Sequence, residues 1–216
     1  EKQIIDRKTE IMKEEGIEFR TGCDVGKEIK PSEILKNYDR VVLACGASNP
    51  RDIKVPGRDA EGIYFAVDFL TRSTKHVLTG KKEGWVDTKG KNVVVIGGGM
   101  VGMETAEYLA EKGAKVSVLE MLPDICSDMG TTRKICMGEE IQKSGIIPVT
   151  SIKVTEIGDN VVIGEKDGEK VEFPCDTAVL AIGAKKRDGS ALAETCYKNG
   201  IGYFEIGDAA MARRAI

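Results

Sequence analysis

A glycine-rich turn between a strand and a helix is the feature that most constrains the fold of this chain. Residues 97–102 read Gly-Gly-Gly-Met-Val-Gly and follow an apolar, β-branched segment at 92–96. A helix is predicted over 103–112, ended by Gly113, and a second strand over 115–119. A turn of this composition in this position is typical of the first βαβ unit of a Rossmann-like sheet, which binds a dinucleotide.

Each glycine of the G-x-G-x-x-G spacing has a predicted role. Gly97 permits the tight turn, Gly99 lets the backbone approach a pyrophosphate, and Gly102 allows the helix to pack closely on the strand. The phosphates are expected at the helix N-terminus, where N–H groups have no intrahelical acceptor. The predicted nucleotide-binding residues of the turn are Gly97, Gly98, Gly99, Met100, Val101 and Gly102.

Glu120 bears on which nicotinamide nucleotide binds. It stands 23 positions after Gly97, at the end of the second strand. A carboxylate there accepts hydrogen bonds from both ribose hydroxyls of NAD and repels the additional phosphate of NADP. No lysine or arginine follows before Arg133. The pattern favours NADH over NADPH, and a surface glutamate without a role is the alternative interpretation.

The remainder of the chain reads as alternating helices and strands with one meander. Ahead of the glycine turn we predict helices over 1–15 and 65–78, a short strand over 17–21 and a buried parallel strand over 40–45. The lysine- and glycine-rich residues 80–84 are interpreted as a domain crossing. Beyond the βαβ unit the predicted elements are a helix at 132–144, strands at 146–149, 151–157, 161–165, 169–173, 177–182 and 203–206, and a helix from 209 onward.

Composition excludes several classes of function. The 32 basic and 35 acidic residues are interspersed, so no broad basic face is expected to bind nucleic acid. No apolar run approaches the length of a membrane-spanning helix, which is about 18 residues. Six cysteines without a C-x-x-C pair, together with one histidine, His76, argue against zinc, redox and metal sites. We therefore expect reduced thiols and a cytoplasmic protein.

Two apolar strands that end in Gly-Ala carry a family resemblance. Residues 42–47 and 179–184 flank the glycine-rich unit, and Ile206-Gly207-Asp208 follows. This arrangement resembles the flavoproteins with two dinucleotide-binding domains, in which the NAD(P)H domain is inserted into the FAD domain. The front part, with Pro50-Arg51-Asp52, is most similar to the small subunit of glutamate synthase. The later part resembles the C-terminal region of 2-enoate and 2,4-dienoyl-CoA reductases.

The resemblance implies an α/β fold with a three-layer, Rossmann-like NAD-binding domain that contains a β-meander, inserted in an incomplete FAD-binding domain. The implied domains are 1–79 for part of the FAD domain, 80–185 for the NAD(P)H domain, and 186–216 for the return to the FAD domain. By similarity, Gly46 and Ala47 contact FAD, Gly183 and Ala184 line the nicotinamide crevice, and Asp208 after Gly207 binds the FAD ribityl chain.

The implied activity is transfer of a hydride from NADH to FAD, with electrons passing onward through iron–sulfur clusters and FMN carried outside this chain. No catalytic side chain is expected, because the cofactors hold the reactive atoms. No glycine-rich turn for FAD precedes residue 17, so we expect a fragment that binds FAD weakly and is inactive alone. A large catalytic subunit or a fused domain is the implied partner.

Three alternatives remain at this point. The chain is a C-terminal module of an enoate-reductase-type NADH:flavin oxidoreductase, or it is an NAD-sensing module that transfers no electrons. A third alternative places the hydride on a disulfide, and the absence of C-x-x-C counts against it.

Overall fold

The computed structural model describes residues 2–127 and 129–212, which form two compact units. The central unit comprises Ser48–Lys185, and the terminal unit is formed by the segments before and after it. The elements of the terminal unit are α1 Lys2–Glu14, α2 Pro31–Asn37, β1 Arg40–Leu43, α6 Ser190–Lys198, β12 Gly202–Glu205 and a 3₁₀ turn over Gly207–Ala209.

A five-stranded parallel sheet organises the central unit. The helices of the central unit are α3 Ala66–Thr79, α4 Met100–Glu111 and α5 Thr131–Ser144. The strands of the central unit, inside and outside this sheet, are β2 Asn49–Pro50, β3 Ile63–Phe65, β4 Asn92–Ile96, β5 Lys115–Leu119, β6 Ile147–Val149, β7 Lys153–Gly158, β8 Val161–Lys166, β9 Glu169–Pro174, β10 Thr177–Leu180 and β11 Ala184–Lys185. The sheet has the order β3-β10-β4-β5-β6, and β7, β8 and β9 form a separate antiparallel meander.

The two faces of the sheet are covered by different layers. Along β4, Val93 and Val95 join a buried cluster with residues of α3, α4 and α5, whereas Val94 and Ile96 join a cluster that includes meander residues. This alternation follows from the two-residue period of a strand. The helices, the sheet and the meander therefore form three layers, which confirms the predicted fold class.

The first unit boundary differs from the predicted one. The sequence placed a domain crossing after residue 79, but the central unit begins at Ser48. The reason is β3, a strand that the sequence pattern did not reveal, because it is only three residues long. It pairs in parallel with β10, with Val179 opposite Tyr64, and thereby joins the segment ahead of α3 to the sheet.

The terminal unit contains a two-stranded parallel sheet of β1 and β12, with Leu43 opposite Glu205. The parallel strand predicted at 40–45 is present as β1 over Arg40–Leu43, but its predicted burial is wrong, since Val42 is 55% exposed and its register partner Phe204 is 53% exposed. Only one other described strand pairs with β1, and no layer covers these side chains within the unit. The strand predicted at 17–21 is also absent, because no described segment pairs with it.

Two differences from the predicted elements lie near the end of the chain. The helix α6 was not predicted from the sequence. The helix predicted from 209 onward is not present in its described part, since the 3₁₀ turn Gly207–Ala209 is followed by non-helical residues at 210–212, and residues 213–216 lie outside the described residues. Within the described ranges, none of the helices has the length and apolar character needed to cross a membrane.

Candidate dinucleotide-binding site

The candidate site lies beside β4, where the order of strands in the parallel sheet changes direction. From β4 the chain proceeds through α4 to β5 on one side, whereas β10 pairs with β4 on the other side. The carboxyl ends of these three strands lie at one edge, because all of them are parallel. Ligands of open α/β sheets bind at such a switch point.

Gly97 makes the turn out of β4 and leaves no room for a side chain. Its φ is +111°, and a Cβ there would lie 2.6 Å from the carbonyl oxygen of Ala181, just after β10. Its N–H donates to Leu119 O at 2.8 Å. The turn is therefore held between the ends of β10 and β5, and only glycine satisfies both the backbone conformation and the close contact.

Gly102 and Gly99 show opposite environments. A Cβ on Gly102 would lie 1.9 Å from Gly97 O, so the first turn of α4 packs directly on the preceding loop. A Cβ on Gly99 would meet no protein atom within 4 Å. Gly99 is the N-cap residue of α4, and no side chain caps this end of the helix. Its carbonyl oxygen accepts a hydrogen bond from Met103 N–H at 3.0 Å. The open side of the turn is thus the helix N-terminus, which is suited to a phosphate.

Gly98 is bonded to Glu120, which directly follows β5. The Gly98 N–H donates to Glu120 Oε2 at 2.5 Å, and the Leu122 N–H donates to Glu120 Oε1 at 2.8 Å. A Cβ on Gly98 would lie 2.9 Å from Glu120 Cβ. The structure therefore brings this predicted ribose ligand to the glycine turn, but it also gives the carboxylate two backbone donors that the sequence did not indicate. Each oxygen retains a second lone pair for a further donor.

Cys126 packs against the glycine turn at Gly98, and the sequence did not predict this contact. Its N–H donates to Gly98 O at 2.8 Å, and its thiol lies 3.5 Å from the same oxygen and 3.6 Å from Met137 Sδ. The residue is buried and has a φ of +45°. It therefore anchors the segment after Glu120 to the turn, and no local motif around residue 126 indicated this.

Gly183 and Ala184 lie at the same edge, after β10. Gly183 is exposed, with a φ of +89°, and its carbonyl accepts a hydrogen bond from Arg51 N–H at 2.9 Å. Ala184 pairs with Pro50 in the antiparallel β2–β11 pair. The β2–β11 pair therefore places Arg51 beside Gly183.

The predicted FAD-contacting residues lie within the terminal unit. Gly46 and Ala47 follow β1, and Gly207 and Asp208 follow β12. The two strands are parallel, and Ile206 N–H donates to Leu43 O at 3.0 Å, so both pairs of residues lie at one end of this sheet. Gly46 and Gly207 have φ values of +67° and +60°. Their contact with FAD remains a prediction.

The central unit fits a dinucleotide on its own geometry. The cradle at Gly99 is open where a Cβ would project, while the glycines at 97, 98 and 102 are each closed by protein atoms. Among the described residues, no group of His, Cys, Asp and Glu side chains is arranged to hold a metal ion.

Comparison with known proteins gives the family and the relatives. The pyridine nucleotide-disulphide oxidoreductase family matches residues 32–207. The chain is 38% identical to the glutamate synthase [NADPH] small chain of Bacillus subtilis over 53% of its length, which covers 24% of that protein. It is 38% identical to the NADH oxidase of Thermoanaerobacter brockii over 90% of its length, which covers 28% of that protein.

A solved structure of 2-naphthoyl-CoA reductase in complex with 2-naphthoyl-CoA matches 88% of the chain and 27% of that protein, at a TM-score of 0.70 and 28% identity. The chain thus spans about a quarter of the length of these proteins. Two of the three names include a nicotinamide nucleotide, NADPH in one and NADH in the other.

Proposed function

This chain belongs to the pyridine nucleotide-disulphide oxidoreductase family, and we propose that it is the NADH-binding portion of an FAD-dependent oxidoreductase that passes a hydride from NADH to FAD. The observation that carries the proposal is the glycine turn at the switch point of the sheet, closed by protein at Gly97 and Gly102 and open at Gly99.

The residues of this chain bind and orient in the proposed reaction. When bound, NADH supplies the hydride and FAD accepts it, so no side chain needs to act as nucleophile, acid or base. The α4 N-terminus donates N–H groups to the pyrophosphate, and Glu120 accepts from the adenosine ribose hydroxyls. Gly183 and Ala184 border the nicotinamide half. Gly46, Ala47, Gly207 and Asp208 contribute to FAD binding in the full-length protein.

The preference for NADH is supported by Glu120 and by the absence of lysine and arginine from residues 121–132, which follow it. A carboxylate held at the end of β5 is unfavourable for a ribose phosphate. Titration of the chain with each nucleotide tests this preference. We expect tighter binding of NADH, and tighter binding of NADPH would contradict the assignment.

The turn itself is tested by Gly99→Leu. A Cβ at position 99 would meet no protein atom within 4 Å, and the φ of −71° is allowed for leucine, so the fold should be retained. The leucine side chain would occupy the proposed place of the pyrophosphate. Gly130→Leu is the matched control, because Gly130 also precedes a helix in extended conformation with no atom near its Cβ position. We expect loss of NADH binding only in Gly99→Leu. Equal NADH affinity in both variants would refute the site.

For the whole protein, the identity of the relatives that match most of the chain favours one alternative as a second candidate. The NADH oxidase is 38% identical over 90% of the chain, whereas a glutamate synthase small chain from Escherichia coli that also matches 90% of the chain is 27% identical. The chain is therefore also a candidate C-terminal module of a reductase of the enoate or dienoyl-CoA type. Assay of the full-length protein with glutamine plus 2-oxoglutarate and with an enoyl-CoA distinguishes the two activities.

Transfer of electrons separates both candidates from an NAD-sensing module. NADH added without oxygen to the full-length protein should bleach its flavin absorbance. Binding of NADH without bleaching would support the sensing role and contradict hydride transfer.

A further inference from the structure

The glycine turn of the central unit carries no cationic side chain. Residues 97–103 are glycine, methionine and valine only. A helix N-terminus contributes about half a positive charge, whereas a dinucleotide carries a negative charge on each of its two phosphates. The turn alone therefore leaves part of the phosphate charge without a counter-charge.

Arg51 is a cation that the structure brings to the same edge of the sheet. Its N–H donates to Gly183 O at 2.9 Å, and a Cβ on Gly183 would lie 3.9 Å from Arg51 Cδ and 4.0 Å from Nε. The arginine stem therefore lies beside exposed Gly183, two residues beyond Ala181, whose carbonyl contacts Gly97.

The guanidinium of Arg51 has no carboxylate partner within 4.0 Å among residues 2–127 and 129–212. The neighbouring Asp52 is bonded instead to Arg58 Nε at 2.5 Å. Arg58 also lies over the ring of Phe65 at 4.9 Å, which holds it against the central unit. Of these two arginines, only Arg51 remains available to an anionic ligand.

The strand order indicates which half of a dinucleotide Arg51 faces. Glu120 follows β5, on one side of β4, and Gly183 follows β10, on the other side. With the adenosine ribose at Glu120, the nicotinamide half extends toward β10 and Arg51.

We propose that Arg51 is a binding residue that donates hydrogen bonds from its guanidinium to the nicotinamide-side phosphate of the dinucleotide. This inference rests on the proposed function, because it assumes that the glycine turn binds NADH. Guanidinium groups match phosphate oxygens in geometry as well as in charge.

The test compares Arg51→Gln with Lys185→Gln, which removes another exposed cation from the paired strand β11. The probes are NADH, ADP-ribose, which retains both phosphates but lacks nicotinamide, and AMP, which retains only the adenosine-side phosphate. We expect Arg51→Gln to weaken NADH and ADP-ribose alike, by about tenfold to a hundredfold, and to leave AMP unchanged. Arg51→Lys should restore part of the affinity, and Lys185→Gln should match the wild type.

Two outcomes overturn the inference in different ways. If wild type binds both dinucleotide probes and Arg51→Gln binds ADP-ribose as tightly, Arg51 does not contact a phosphate, and the proposed function stands. If wild type binds neither NADH nor ADP-ribose, the proposed function fails and the inference fails with it. A weakened affinity for AMP in Arg51→Gln would also contradict the assignment to the nicotinamide side.

Discussion

The Gly98 N–H donates a hydrogen bond of 2.5 Å to Glu120 Oε2, so the carboxylate that directly follows β5 is bonded to the turn that follows β4. The other oxygen of this carboxylate accepts from Leu122 N–H at 2.8 Å. Glu120 therefore links the glycine turn, the end of β5 and the segment that follows β5, and it has a structural role besides the proposed contact with ribose.

Glu120→Gln should lower both stability and nucleotide affinity. The amide can accept from one of the two N–H donors, but its NH₂ group faces the other, which loses its acceptor. We expect a loss of about 1–3 kcal/mol in the free energy of unfolding, measured by urea denaturation. NADH affinity should fall in the same variant.

The control for this substitution is Glu139→Gln. Glu139 is exposed on α5, and its ion pair with Lys143 is at 4.0 Å, which contributes little to stability. If Glu120→Gln and Glu139→Gln have the same urea midpoint and NADH affinity, the linking role of Glu120 is wrong.

Gly102→Ala should destabilise the central unit through a steric clash. The added Cβ would lie 1.9 Å from Gly97 O, so α4 must move away from the turn. Such overpacking costs about 1–3 kcal/mol. Gly138→Ala, inside α5 with no atom within 4 Å of the Cβ position, should instead gain up to about 1 kcal/mol from helix propensity. Thermal unfolding of the two variants should shift in opposite directions, and a neutral Gly102→Ala would contradict the close packing.

Gly57→Ala tests whether the segment ahead of β3 belongs to the central unit. A Cβ there would lie 1.6 Å from Ile157 O, near the end of β7, the first strand of the meander. Gly168→Ala is matched, since its φ of +81° is close to the +78° of Gly57 but its Cβ position is open. Both variants carry the backbone penalty of about 1 kcal/mol for alanine at positive φ. Only Gly57→Ala should lose more, and equal urea midpoints for the two would show that the segment is not packed on the meander.

Glu107→Gln should make stability less dependent on pH. Glu107 Oε1 on α4 is buried without a hydrogen-bond partner among the described residues. Burial and then the nearby carboxylate of Glu140 raise the pKa of Glu107 above its ordinary value of 4.5. The folded state therefore binds the proton more tightly than the unfolded state does, and the resulting stabilisation is complete below pH 4.5 and is lost as pH rises through the folded pKa.

The variant should consequently be more stable than wild type at pH 8, where Glu107 is ionised, and the difference should shrink as the pH is lowered toward 4.5. Free energies of unfolding at several pH values measure this. Glu165→Gln, at an exposed position of the meander, should follow the wild-type pH profile. A Glu107→Gln profile parallel to that of wild type would contradict the shifted pKa.

Local patterns in the sequence were sufficient for the core of the site. The strands β4 and β5 have the predicted bounds, and α4 begins at Met100 instead of at 103. The strand–glycine–helix pattern is local, since it depends on apolar runs and on turns that only glycine can adopt. The same kind of signal located the strand at 40–43 but was wrong about its burial, because burial of a strand depends on the layers that cover it and not on its own apolar side chains.

The amino-acid sequence by itself determined the α/β class, the βαβ unit and the three glycines of the turn, because each follows from periodicity and backbone sterics over a few neighbouring residues. The tertiary structure alone decided that the central unit begins at Ser48, that Glu120 is bonded to Gly98, and that Arg51 lies beside Gly183. These relationships join residues distant in the chain, and they arise from the pairing of β3 with β10, of β4 with β5 and of β2 with β11. Strand pairing sets such contacts, and no local pattern encodes it.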